Sequence, residues 1–231
     1  MKKFVVTLVL LLAGTPAMAQ HIGPASTTAR DLKPIVGVGY DYYQAEWEGV
    51  DVKENRPYVQ VGVGGGMADE ARYELYLRLG AADLTINDHG GNKFNGNFQP
   101  FAGGGVKINF LRSDIPWGLG LVAQGAYFGM WDDEVNGVKV KIRNAWEVEG
   151  AIPLEYKFKP FTVYAGPVFF HEQAQGTAGA LGVVVKDNHI TEDNDFGAFG
   201  GIAVQFGDMR LEAEVQQKSD TSFGGLLTYS Y

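Results

Sequence analysis

The stretch VKVKIRNAWEVEGAIPLEYKFK (138–159) decides the fold. Its even positions are Val138, Val140, Ile142, Asn144, Trp146, Val148, Gly150, Ile152, Leu154, Tyr156 and Phe158. Its odd positions are Lys139, Lys141, Arg143, Ala145, Glu147, Glu149, Ala151, Pro153, Glu155, Lys157 and Lys159. One set is apolar and aromatic with a single Asn, and the other is mostly charged. Alternation with period two is the mark of an extended strand with one apolar and one polar face, since successive side chains leave a strand on opposite sides. A helix would mix the two sets. The run is also far longer than the roughly 5–6 residues of a soluble strand.

Weaker copies of the pattern lie on both sides. Tyr73, Leu75, Leu77 and Leu79 oppose Arg72, Glu74, Tyr76 and Arg78, and Leu211, Ala213 and Val215 oppose Arg210, Glu212, Glu214 and Gln216. Val106, Ile108 and Phe110 oppose Lys107 and Asn109, and Ile202, Val204 and Phe206 oppose Gly201, Ala203 and Gln205. The segments 117–131, 35–47, 57–65, 161–173 and 223–231 add further strands, about ten in all. Short connections at 68–70, 112–114, 158–160 and 207–208 alternate with longer polar ones at 48–55, 87–97, 132–137 and 174–195. The pattern predicts an all-β, closed, antiparallel, up-and-down transmembrane β-barrel, with eight strands as the alternative count.

The first nineteen residues differ from the rest. Lys2 and Lys3 precede the apolar run 4–12, and Ala17-Met18-Ala19 is a small-x-small cleavage site. This is the pattern of a secretory signal peptide, and the run is too short for a spanning helix. The expected organisation is a signal peptide over 1–19, a periplasmic lead-in over 20–33 and the barrel over 34–231. There is no cysteine, so no disulfide or thiolate chemistry is available. The net charge of -8 argues against nucleic acid as a partner.

Three features favour lipid outside the apolar face. The polar face carries both signs of charge, as suits a lumen. Aromatics fall near strand ends at Trp47, Trp117, Trp131, Tyr156, Phe158, Tyr229 and Tyr231, where interfacial rings form a girdle. A closed barrel also satisfies every backbone group in lipid. The charges expected inside are Arg72, Glu74, Arg78, Lys107, Lys139, Lys141, Arg143, Glu147, Glu149, Glu155, Arg210, Glu212 and Glu214. In a narrow barrel these must pair across the lumen, because unpaired buried charges cost several kcal/mol each, about the stability of a small domain.

The chain ends FGGLLTYSY (223–231), with Phe223, Leu227, Tyr229 and Tyr231 on one face. This resembles the C-terminal signal by which barrel-assembly machinery recognises outer-membrane proteins, with Tyr in place of the commoner terminal Phe. The architecture resembles the small Gram-negative barrel families typified by the outer-membrane protein A transmembrane domain, outer-membrane protein W and the opacity proteins. The resemblance implies an outer-membrane location and contact with lipid, lipopolysaccharide and the assembly machinery. It also implies a structural or surface-interaction role with an extracellular partner at the loops, or alternatively a narrow pore or carrier of small solutes or apolar molecules.

No coherent catalytic constellation stands out, and neither a cofactor nor a metal is expected. A rim hydrolase would have to draw on Asp88, His89, Asp132, Asp133, Asp187 and His189. A hard cation could in principle use Asp187, Glu192, Asp193 and Asp195, but their spacing matches no EF-hand loop. The triplets Gly64–Gly66 and Gly103–Gly105 lack the helix and Lys of a phosphate loop.

Overall fold

A computed structural model describes residues 20–27, 32–47, 50–66, 72–88, 93–111, 115–180, 183–191, 195–218 and 220–231; residues 45–47, 50, 88, 178–180 and 183–191 are described by their backbone alone. Every regular element among them is a strand. These are β1 (Pro34–Trp47), β2 (Val50–Gly66), β3 (Arg72–Asp88), β4 (Lys93–Asn109), β5 (Trp117–Phe128), β6 (Trp131–Val135), β7 (Val138–Ala151), β8 (Leu154–Phe158), β9 (Phe161–Ala180), β10 (Val183–Thr191), β11 (Phe196–Phe206), β12 (Met209–Gln217) and β13 (Thr221–Ser230).

Ten positions around the wall close into an antiparallel barrel. β1 pairs with β13 from Ile35↔Ser230 to Tyr42↔Phe223, which removes the sheet edge. β7 and β8 share one wall position, interrupted at Ile152-Pro153, because β5 pairs with both. β6 and β10 continue the wall beyond β5 and β11 on the loop side. The other side ends in tight turns at Lys159-Pro160 and Gly207-Asp208 and carries Tyr231; it is called the turn end below. The short connections expected at 68–70 and 112–114 fall on residues outside those described. Most of the segments expected to be long loops are strand instead. β2 starts at Val50, β3 runs to Asp88, β6 and β7 form a hairpin closed by Asn136-Gly137, and β9 extends to Ala180. Asn136 (φ 51°) and Gly137 (φ 79°) are both left-handed, as a two-residue hairpin turn requires.

The barrel is inverted along its axis. In the turn-end half Leu75, Leu77 and Leu79 face out, while Glu74, Tyr76 and Arg78 face in. In the loop-end half of β3 the outward positions are Asp83, Thr85 and Asn87, and the inward ones are Ala82, Leu84 and Ile86. A 17-residue strand is about 55 Å long, more than a tilted strand needs to cross a lipid core of about 30 Å, so the loop-end half stands clear of it. There water lies outside, and the inside must be filled by packing. Tyr58 meets Phe101 edge-on at a centroid distance of 6.4 Å, and Phe101, Phe128 and Trp131 stack in sequence at 5.4 and 5.8 Å. Val52, Leu84 and Val140 are fully buried around them.

On β7 the inversion corrects the expected facing. Val138, Val140 and Ile142 are buried inside, and Lys139, Lys141 and Arg143 point out into water rather than into the lumen. A bulge between Arg143 and Trp146 supplies the extra residue that flips the alternation, with Asn144 left-handed at φ 52°. Beyond it Glu147 and Glu149 point in and Val148 points out, as expected. One extra residue at Gly129-Met130 likewise turns Trp131 inward, so it belongs to the interior and not to the girdle. Its indole N–H donates to the Ala82 carbonyl at 2.9 Å.

Candidate functional site: a plugged lumen

In the turn-end half the apolar band faces out: Val36, Val38, Val59, Val61, Leu121, Val163 and Leu211 join the β3 leucines. At its turn-end edge Trp117, Tyr156 and Phe158 form a row, continued by Phe161, with ring centroids 4.7, 6.3 and 5.7 Å apart, and Tyr229 stands edge-on to Tyr231 at 4.8 Å. These rings are exposed where a girdle was expected; the side chain of Trp47 lies outside the described residues. At the other edge Tyr40, Tyr127, Phe169, Phe196 and Phe223 are exposed outward. Polar groups begin beside them: the Tyr40 hydroxyl donates to Asn55, whose backbone N–H donates to Asp83 at 2.6 Å, and the Tyr127 hydroxyl donates to Asn144 at 3.0 Å. The outer surface is thus an apolar belt bounded by two aromatic rings, the surface of a membrane barrel.

The lumen within this belt is occupied by the chain itself. Residues Gln20–Thr27, expected as a lead-in beneath the barrel, run inside it, and Gln20 to Ala25 are buried. Wall side chains satisfy the segment's backbone. Glu214 accepts from the N–H groups of Ile22 at 2.9 Å and Gly23 at 2.7 Å, and Glu155 accepts from that of Ser26 at 2.8 Å. Arg78 donates to the His21 carbonyl at 2.8 Å, Arg210 donates to that of Ser26 at 2.8 Å, and Gln216 donates to that of Gln20. His21 Nε2 lies 2.7 Å from Glu212, which also pairs with Arg210 at 2.9 Å. Ile22 packs into an apolar pocket with Val122, Val168 and Phe199. Gly23 has φ +75°, a left-handed backbone that favours glycine, and a Cβ there would stand 2.5 Å from Lys107 Nζ.

A second charge cluster lies above, against the apolar half. Arg56 pairs with Glu54 at 2.7 Å and Glu147 at 3.4 Å, with its guanidinium 4.8 Å from the Phe128 ring centre. Lys218 pairs with Glu149 and lies 3.9 Å from Glu172. Gln124 donates to Glu149 at 2.6 Å. At the turn-end mouth a cavity of about 390 Å³ is lined by Thr27, Arg72, Lys157, Lys159, Asp208 and Arg210, among others.

Of the expected lumen charges, Glu74, Arg78, Lys107, Glu147, Glu149, Glu155, Arg210, Glu212 and Glu214 are buried inside, Arg72 lies at the mouth, and three residues of β7 face outward as described. Missed were Asp41, Glu54, Arg56, Glu172 and Lys218, which sit in less regular alternation, and the whole plug. A short polar segment reads the same in a lumen as in solvent, so no sequence signal would have found it. Of the rim residues, His89, Glu192 and Asp193 lie outside those described, and Asp88, Asp187 and His189 are described by backbone alone. Asp133 accepts from the backbone of Asn95 at 2.7 Å, and Asp195 lies 3.3 Å from His171 on the exposed surface.

No known family profile matches the chain, and no curated protein does. Among solved structures, the chain is similar to the translocator domain of the autotransporter NalP from Neisseria meningitidis, with 14% identity, 87% of this chain and 88% of that one covered, and a TM-score of 0.52. The beta domain of the Bordetella autotransporter BrkA is matched at 13% identity over 86% of this chain and 99% of that one, with a TM-score of 0.45. The first of these likenesses sets the protein among β-barrel folds.

Proposed function

We propose that this protein is an outer-membrane barrel of a Gram-negative envelope, exported by a cleaved signal peptide, with a structural or surface-interaction role and a lumen closed to solutes. One observation carries the reading: beyond the cavity at the turn-end mouth, the lumen is filled at two successive levels. The plug and its charged partners fill the turn-end half, and the Tyr58–Phe101–Phe128–Trp131 row of rings fills the loop-end half. Lipid and lipopolysaccharide pack on the apolar belt, the assembly machinery reads the last strand, and the water-exposed loop-end hairpins meet an extracellular partner. No catalytic step belongs to this reading. From the resemblance to the protein A, protein W and opacity families we carry forward the architecture, in a barrel of ten strands.

The purified, folded protein in a planar bilayer is expected to give no steady conductance. Reproducible channel steps from the intact chain would overturn the closed lumen and favour the narrow-pore reading.

A further inference from the structure

Gln20 is 2% exposed, and its backbone nitrogen lies 3.4 Å from Glu149 Oε1. Its side-chain amide is held at both ends: Nε2 donates to Glu147, and Oε1 accepts from Arg78 at 3.2 Å. The plug climbs from the mouth at Thr27 to Gln20 in the middle of the barrel, beneath the packed apolar half. Around it negative charge is in excess. Glu54, Glu147, Glu149 and Glu172 are buried together, joined by ion pairs to Arg56 and Lys218, and Arg78 reaches the Gln20 side chain. Over all described residues, nine carboxylates and five Lys or Arg side chains are buried. Uncompensated buried charge is costly, so this region calls for a further cation.

We propose that cleavage before Gln20 creates that cation: the new α-ammonium group is the buried counter-charge of Glu149 and Glu147, so that processing completes the charge network of the barrel. The inference rests on the cleaved leader of the proposed function. It explains why the plug runs with its N-terminal side innermost, since only a chain that begins at Gln20 brings a charge to this point. It also makes a chemical claim. A free N-terminal glutamine cyclises readily: the α-amine attacks the side-chain carbonyl carbon, a lactam C–N bond forms, the bond from that carbon to Nε2 breaks, and ammonia leaves. In the plug both reactants are pinned, amine by carboxylate and amide by Glu147 and Arg78, so the folded protein resists this loss.

The test starts from protein purified from outer membranes, with its N-terminus read by sequencing. A chain that does not start at Gln20 sinks the leader reading itself. Given a Gln20 start, folded and urea-unfolded samples are treated with glutaminyl cyclase and followed by intact mass. The folded protein is expected to lose ammonia more slowly by over about tenfold. Equal rates would overturn the buried amine. Cyclised protein is then refolded and its urea midpoint compared with that of untreated protein, in the wild type and in Glu149→Gln. Cyclisation should lower the midpoint in the wild type and do so much less in the variant, as expected for two partners of one interaction. An equal drop in both, or none in the wild type, would show that the amine is not the counter-charge of Glu149.

Discussion

Ile142 and Lys141 are neighbours whose surroundings are opposite to what the alternation of 138–159 suggests. Ile142 is 3% exposed inside the loop-end core, and Lys141 faces water. Ile142→Lys would place a charge among Trp131, Val140 and their neighbours with no partner, a loss of several kcal/mol. Lys141→Val removes an exposed charge and should change stability by less than about 1 kcal/mol. The urea midpoints of the refolded variants check this pair. The reverse order would mean that the outer half of β7 faces as its sequence alone suggests. Beyond the bulge the expected facing holds, and Val148 lies in the lipid belt at 47% exposure. Val148→Arg should therefore cost about 2–4 kcal/mol near the bilayer midplane when the barrel is refolded into lipid. A wild-type midpoint for that variant in lipid would contradict the belt. Residues such as Glu74, Arg78 and Glu212 were legible because one alternation ran through them without interruption.

The bulge at Asn144 belongs to the strand as an element. Below it β7 has lipid outside and charge inside; above it the surroundings exchange. A strand can meet that exchange in two ways. β3 keeps its facing and changes its sequence, passing from Leu75, Leu77 and Leu79 outside to Asp83, Thr85 and Asn87. β7 keeps its sequence pattern and changes its facing by one inserted residue. The second way is invisible to alternation, because the apolar set stays on even numbers from Val138 to Phe158 on both sides of the bulge. That is why Lys139, Lys141 and Arg143 were misplaced while the strand itself was found. Asn144 suits the site because Asn tolerates the left-handed backbone, and its amide joins Tyr127 to Gln175, donating to the latter at 2.7 Å. Deleting Asn144 should restore a straight ladder in which Val138, Val140 and Ile142 still face in, since it removes the one residue that offsets the two alternations. The expected outcome is a barrel that still shifts between unheated and boiled samples on a gel and whose loop-end half keeps its protease resistance. A loop-end half cut by protease, with Trp131 fluorescence moved to the red, would mean that the offset does not reside at Asn144.

At the scale of the whole molecule, two different fillings close the barrel in series, and each suits its level. In the lipid belt the outer face must be apolar, so the polar residues of the amphipathic strands are driven inward. Their charges then require a polar filling, which the plug supplies through backbone groups and Gln20 and His21. Above the belt the inward residues are apolar and fill the space themselves. Closure therefore does not depend on the plug alone. A chain lacking residues 20–27 should still form the barrel, whose wall is closed by the β1–β13 ladder, and should remain silent in a planar bilayer because the aromatic stack still blocks the path. Its urea midpoint should fall, since the wall carboxylates lose the N–H groups of Ile22, Gly23 and Ser26. Adding Phe128→Ala and Trp131→Ala to that deletion removes both fillings, and steady conductance is then expected. The exposed lumen would be lined by more carboxylates than Lys and Arg, nine against five among the described residues, so the current should favour cations. Conductance from the plug deletion alone would mean that the apolar half does not seal, and an anion-selective current from the combined variant would mean that the lumen carboxylates do not set its field.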